Sequence, residues 1–326
     1  MNILITGITG FIGGHICRKL LEEKNDRIVA IIREKTKVER YEKFESKGVI
    51  CKFGELNSQN FIEKIFSEIR FDIVFHIAAL RGGRNFSKKD YYDTNVNATK
   101  YIAEQCLKHN CKMIFCSSVG VFGAIPNELP PNENTNRKPD NYYHFTKIEA
   151  ENELQKLVKN GLNLIIIRPS ITYGKGDYGF PYKLINLVDN GLMIRPSQDI
   201  KINMIDVETL TSAFINAANE NLKSGNAYNI SDKIPVSLEK LTNFINIELK
   251  SENYPKWKKI PTFLFRVLEF IFSKIIKNEL WFARIQLISR SWYYDVSQAE
   301  KDLKITSHNT IPNFKYVLEW YKKTDR

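Results

Sequence analysis

Apolar residues along this chain follow two rhythms. Short runs at 3–6, 28–32, 49–53, 73–77, 113–117 and 164–168 are rich in β-branched and aromatic residues, as buried strands are. Between them, apolar positions recur at steps of three and four, most clearly over 61–69, 95–107 and 146–158, which is the spacing of helices with one buried face. Strands separated by helices imply right-handed crossovers and a parallel sheet covered on both faces. The expected class is therefore α/β, a doubly wound parallel sheet. Beyond Pro169 the rhythm weakens and loops rich in Gly, Pro and Asn appear over 173–181 and 191–197, while 227–230 reads as one more strand. The predicted division is a larger domain over 1–170, with 203–232 returning to it. A smaller C-terminal substrate-binding lobe is expected from 171–202 and 233–326.

The first strand runs directly into Gly7, Gly10 and Gly13, and a helical pattern carrying Phe11, Ile12, Ile16, Leu20 and Leu21 follows. A strand, a glycine turn and a helix start let backbone approach a pyrophosphate, which rests on free N–H groups at the positive end of the helix dipole. The spacing is G-x-x-G-x-x-G rather than G-x-G-x-x-G. With this loop the domain over 1–170 is expected to be a nucleotide-binding domain of the Rossmann type.

One late segment stands apart. Over 261–277, Phe263, Leu264, Val267, Leu268, Phe270, Ile271, Phe272, Ile275 and Ile276 form a very wide apolar face opposite Arg266, Lys274 and Lys277. Three readings fit it: a core helix, favoured by its periodicity, a wall of an apolar substrate pocket, or an interfacial membrane helix. The chain has 326 residues and a net charge of +11, and most of the excess lies in the last quarter. That excess suits an anionic substrate or an acidic membrane surface, and equally a solvated basic face. Nucleic acid is not expected as a partner, because no recognition motif and no basic run interleaved with aromatics is found. No stretch of about 20 apolar residues occurs, and no cleaved signal is expected ahead of the first strand. The five cysteines lack a disulfide framework spacing, which suits a reducing, cytoplasmic setting. Cys106, His109, Cys111 and Cys116 invite a metal reading, but Cys106 falls in a helical pattern and Cys116 at the end of an apolar strand, so buried free thiols are the better reading and no metal is expected.

Tyr143 and Lys147 lie four residues apart in a helical pattern and so share a face. An ammonium beside a phenol is expected to lower its pKa and make it a proton donor and acceptor near neutrality. Tyr142 is a poorer candidate, since four residues on it meets Thr146. Ser118 follows a strand end, where its hydroxyl is placed to hold a substrate oxygen. Taken alone, the pair is also what an exposed helix face looks like.

Taken together, these motifs resemble the extended short-chain dehydrogenase/reductase family, the NAD(P)-dependent epimerases and dehydratases, and lean toward its hydroxysteroid-dehydrogenase and dihydroflavonol-reductase branches. Residues 6–13, TGITGFIG, resemble the nucleotide loop, which implies cofactor contacts at Gly7, Thr9, Gly10, Phe11, Ile12 and Gly13. Gly54-Glu55-Leu56 resembles the family's Gly-Asp-Leu near adenine, with Glu55 for the aspartate. His76-Ile77-Ala78-Ala79 resembles the loop beside the nicotinamide ribose, and Asn95 opens the helix the family carries next. SSVGVFG at 117–123 resembles the family's Ser-Ser-x-x-Val-Tyr-Gly, which puts Ser117 by the cofactor and the catalytic serine at Ser118, 25 residues before Tyr143. The stretch 168–174, RPSITYG, resembles the segment that reaches nicotinamide and substrate and brings in Pro169 and Ile171. The implied chemistry is hydride transfer at a secondary alcohol or ketone carbon, with Tyr143 as acid and base, Lys147 on the nicotinamide ribose and Ser118 on the reacting oxygen.

Arg33 ends the second strand, where NAD-binding relatives carry an acidic residue. With Lys35 and Lys37 following, NADP is expected ahead of NAD. Sugar-nucleotide members carry diphosphate-binding groups where this chain has Ile171 and Ile200. An apolar alcohol or ketone is therefore the expected substrate. The alternatives are a nucleotide-sugar epimerase, dehydratase or reductase, and a catalytically silent NAD(P)-binding sensor. The resemblance also implies a homodimer. Arg81, Arg84, Lys88, Tyr178 and Tyr182 are further candidates for touching substrate.

Overall fold

The computed structural model describes residues 1–23, 26–82, 86–306 and 308–325. Its centre is a seven-stranded, all-parallel sheet of β1 (Asn2–Thr6), β2 (Arg27–Ile32), β3 (Ile50–Phe53), β4 (Ile73–His76), β5 (Lys112–Cys116), β6 (Leu164–Pro169) and β7 (Ala227–Ile230). The spatial order is β7-β6-β5-β4-β1-β2-β3. Chain direction through the sheet reverses between β1 and β4, and ligands of open parallel sheets bind in the crevice outside the strand ends at such a point.

The uninterrupted apolar runs follow from burial on both faces. Ile3, Ile5, Ile28, Ala30, Phe75, Ile114 and Ile167 point to one side. There they meet α1 (Phe11–Glu22) and the inward residues Leu210 and Phe214 of a helix over Val207–Asn219. Leu4, Val29, Val74, Met113, Phe115 and Ile166 point to the other, onto α2 (Gln59–Glu68), α3 (Ala98–Lys108) and α4 (Tyr142–Lys159). A third apolar cluster joins Tyr173, Ile185, Ile202, Leu241, Trp292 and Phe314. It gathers helices that the sequence rhythm leaves unread, at Phe180–Asp189, Leu238–Lys250 and Thr310–Asp325. All five cysteines are free: Cys17, Cys106, Cys111 and Cys116 are buried, and Cys51 is half-buried. Burial pushes the Cys17 thiol up to about 12 and those of Cys51 and Cys116 up to about 11.

Two expectations change. The helix expected over 95–107 starts as a π-turn at Asp93–Asn97 before α3. The apolar segment at 261–277 is not a core helix. It forms the helix Thr262–Phe270 and a π-turn at Ile271–Ile275, and a second helix follows at Glu279–Ser289. In the first of these helices only Phe265 and Glu269 are buried. Its width made the apolar stripe look like a core face, but one wall alone faces protein.

Candidate active site

The crevice at the reversal point begins with backbone geometry. Gly7 follows β1 with φ of +80°, and a Cβ there would sit 2.9 Å from Ala78 N. A Cβ on Gly13 would lie 2.4 Å from the Gly7 oxygen, so α1 rests directly on the turn. Gly10 caps α1 with no side chain on its first N–H groups. These open donors, reached over bare backbone, fit the pyrophosphate of a dinucleotide. Thr9 and the Phe11 and Ile12 side chains are partly exposed around the turn.

Thr6 closes the floor. Its hydroxyl pairs with His76 Nδ1 at 2.8 Å and accepts from the N–H groups of Ile77 and Ala78 at 3.2 and 3.1 Å. His76 Nε2 pairs with the Thr99 hydroxyl at 2.9 Å. Complete burial pushes the His76 pKa down to about 3, with Lys147 adding to the fall, so the imidazole is neutral. Asn95 then connects the loop after β4 to the helix behind it. Its side chain accepts from Leu80 N at 2.8 Å and donates to Leu80 O and Thr146 Oγ1, both at 3.1 Å. Ala78 and Ala79 line that loop, half-buried.

Tyr143 and Lys147 project from α4 into this region. Lys147 is 2% exposed; its ammonium donates to Cys116 O at 2.7 Å and sits 4.8 Å from the Phe115 ring centroid. Burial pushes its pKa down. The expectation that Lys147 lowers the phenol is not met here. Burial pushes Tyr143 upward, Cys116 and Tyr91 add to the rise, and only Arg81 and the Ser118 hydroxyl favour the phenolate. Ser118 caps the short turn Val119–Phe122 by accepting from Gly120 N at 3.0 Å. Gly82 packs on the tyrosine, since a Cβ there would lie 3.3 Å from Tyr143 Cβ.

Some predicted residues are engaged elsewhere. The Ser117 hydroxyl donates to Glu151 Oε1 at 2.5 Å. Glu55 is exposed and Leu56 buried; Pro169 ends β6, and Ile171 packs at the edge of the third cluster. Ile200 is buried. Arg33 is exposed beyond β2. Lys88 lies over the Tyr142 ring, and Tyr178 and Tyr182 pack with Trp320. Arg84 lies outside the described residues.

Sequence reasoning missed two sets of residues. Glu151, one turn after Lys147, is 1% exposed and holds Arg168 through Nε at 2.9 Å and Nη2 at 2.7 Å, and Arg137 through Nη1 at 3.0 Å. Its four-residue step from Lys147 was the available signal. The second is Arg40, whose Nη2 donates to Thr9 O of the glycine turn at 2.8 Å. No periodicity marks it.

The sequence pattern of the NAD dependent epimerase/dehydratase family matches residues 3–231. Among curated relatives, a dTDP-D-glucose 4,6-dehydratase of Dictyostelium discoideum is 28% identical over 275 residues, covering 76% of this chain and 62% of the relative. An N-acetyl-alpha-D-glucosaminyl-diphospho-ditrans,octacis-undecaprenol 4-epimerase of Escherichia coli O157:H7 is 26% identical over 268 residues, covering 80% and 74%. The chain thus spans less than two thirds of the dehydratase, and it spans as little as 48% of another matched relative. A crystal structure of UDP-glucose 4-epimerase from Thermotoga maritima superposes with a TM-score of 0.78 over 100% of both chains at 20% identity, a likeness of fold. The chain belongs to the NAD dependent epimerase/dehydratase family of enzymes.

Proposed function

We propose that this enzyme oxidises or reduces a hydroxyl-bearing carbon of a sugar carried on a diphosphate, in the manner of an epimerase or dehydratase, with NADP as the preferred dinucleotide. The observation that carries the chemistry is the meeting of Tyr143, Lys147 and Ser118 beside a glycine turn with open helix donors. Relatives named for sugars on nucleotide or polyprenol diphosphates support this substrate class over the apolar alcohol or ketone expected from residues 168–174. Ile171 and Ile200 offer no diphosphate contact, which leaves that role to exposed cations such as Arg81, beside the phenol, and Lys201.

A dinucleotide bound here supplies the hydride acceptor or donor. Its pyrophosphate would lie on the N–H groups opening α1, and Lys147 would hold the ribose. As the phenol, which burial favours, Tyr143 gives its proton to a carbonyl oxygen; in the opposite direction it takes the alcohol proton as the phenolate, which Arg81 and Ser118 favour. Ser118 orients that oxygen, and neutral His76 adds no competing charge. NADP is supported by Arg40, which bonds the glycine turn, and by exposed Arg33 just after β2, the strand beside β1; both are cations suited to a 2′-phosphate.

A panel of UDP-, dTDP- and polyprenyl-diphosphate sugars, read by sugar NMR and nicotinamide fluorescence, tests the substrate class. Conversion of at least one is expected. Turnover of sterols or keto acids alone would overturn it. Tyr143→Phe is expected to bind dinucleotide within a few-fold of wild type and to lose turnover by about 10³ or more.

A further inference from the structure

The helix Thr262–Phe270, now α5, and the helix Glu279–Ser289, now α6, form a hairpin through the intervening π-turn. Rings of Phe272 and Trp281 stack across it at 6.0 Å. The hairpin is fastened inward by one buried carboxylate. Glu269, 4% exposed, accepts from Arg266 Nη1 at 2.6 Å, Ser289 Oγ at 2.9 Å and Arg290 Nε at 3.1 Å. That clamp fixes which side of α5 turns outward, and the outward side is apolar. Trp257, Phe263, Phe270 and Ile275 are 59–78% exposed, with Val267 and Trp281 close to half. Among the described residues between 257 and 281, nine large apolar ones are more than a third exposed, a concentration that marks a contact surface.

Charge decides what it contacts. Residues 256–290 carry eight Lys and Arg against two acidic residues, a net +6, and one of those acids is the buried Glu269. Lys256, Lys274, Lys277 and Arg284 are exposed around the apolar side, with Arg284 stacked 5.1 Å from the Trp281 ring centroid. A two-fold pairing of copies would press two such basic faces together. An anionic bilayer complements both features, taking apolar chains into its interface and cations at its headgroups. Nine residues at about 1.5 Å each make α5 about 14 Å long, suited to lying in the interface. Among the described residues no helix is long and apolar enough to cross a membrane.

We propose that this hairpin docks the protein onto an anionic lipid bilayer, with α5 in the interfacial plane. The inference stands on the exposed face and its charge, independently of the sugar-diphosphate reading. The test is co-sedimentation of the full chain with phosphatidylcholine vesicles, with and without 30% phosphatidylglycerol, in about 0.1 M salt. Binding to the anionic vesicles is expected to exceed binding to neutral ones by about tenfold or more. The variant Phe263→Glu, Phe270→Glu, Ile275→Glu is expected to lose at least about tenfold with unchanged thermal unfolding. Should that variant fold poorly, Lys274→Glu with Lys277→Glu, which leaves the apolar side intact, is expected to lose about tenfold on the anionic vesicles alone. Three results would each overturn docking: no binding to anionic vesicles, equal binding by these variants, or a wild-type oligomer in sedimentation velocity that the triple variant dissolves. The last would assign the face to a second copy.

Discussion

Removing Glu151 tests the support beneath the site. Burial opposes charge on this carboxyl, yet Arg168, Ser117 and Arg137 outweigh burial and hold its pKa below the usual carboxylate range. Glu151→Ala leaves Arg168, 4% exposed, with its guanidinium stripped of two bonds inside the fold. Arg137 is 30% exposed and can turn to water or keep Asn152, 2.8 Å away, so most of the loss falls on Arg168. Breaking one side of a buried pair costs about 3–5 kcal/mol. For a chain of this size that is a fall in melting temperature of about 5–10 °C. Chemical unfolding followed by circular dichroism measures the free-energy loss, and thermal unfolding the shift in melting temperature. The double variant Glu151→Leu, Arg168→Met removes the stranded charge and is expected to recover at least half of the loss. A single-variant loss under about 1 kcal/mol, or a double variant no better than Glu151→Ala, would refute the reasoning.

Other consequences are equally direct. Gly13→Ala puts a methyl against the Gly7 carbonyl and is expected to weaken dinucleotide binding about tenfold to a hundredfold by fluorescence titration, in line with overpacking of about 1–3 kcal/mol. Arg40→Ala with Arg33→Ala is expected to weaken NADPH by about tenfold or more and leave NADH within about threefold; equal losses for both would remove the 2′-phosphate role. Burial pushes the Asp232 carboxyl up to about 7 from 3.8, against the hydroxyls of Thr310 and Tyr173 that it accepts from. Its folded form holds the proton more tightly, so the stability it adds is full below about pH 4 and is lost as pH rises through about 7, by up to about 4 kcal/mol. Unfolding free energies of wild type minus Asp232→Asn, taken from pH 4.5 to 8, should trace that fall, and a flat difference would contradict it.

The sheet was legible because both of its faces are buried, which turns strands such as 28–32 and 164–168 into continuous apolar runs. The late lobe was not, since helices such as Leu238–Lys250 pack short apolar steps between polar ones and have no strand rhythm around them. Residues in sequence-local motifs were findable: Gly7, Tyr143 and Lys147 declare themselves by spacing. Partners joined across the fold were hidden. Thr6 with His76, Ser117 with Glu151, and Arg40 with Thr9 meet only after crossovers of 70, 34 and 31 residues. The phenol's electrostatics were misread for the same reason, because spacing reveals a neighbouring ammonium but not the depth of the surrounding protein.

The concealed thiols turn the molecule into its own opening clock. With Cys17 beneath one side of the sheet, Cys106 beneath the other and Cys116 at the crevice floor, an alkylating reagent finds neither access nor thiolate while the fold stays shut. Each modification then dates a separate breathing event. Mass spectrometry of peptides around Cys116, set against those around Cys106, would time the crevice floor apart from the opposite layer without a single engineered label.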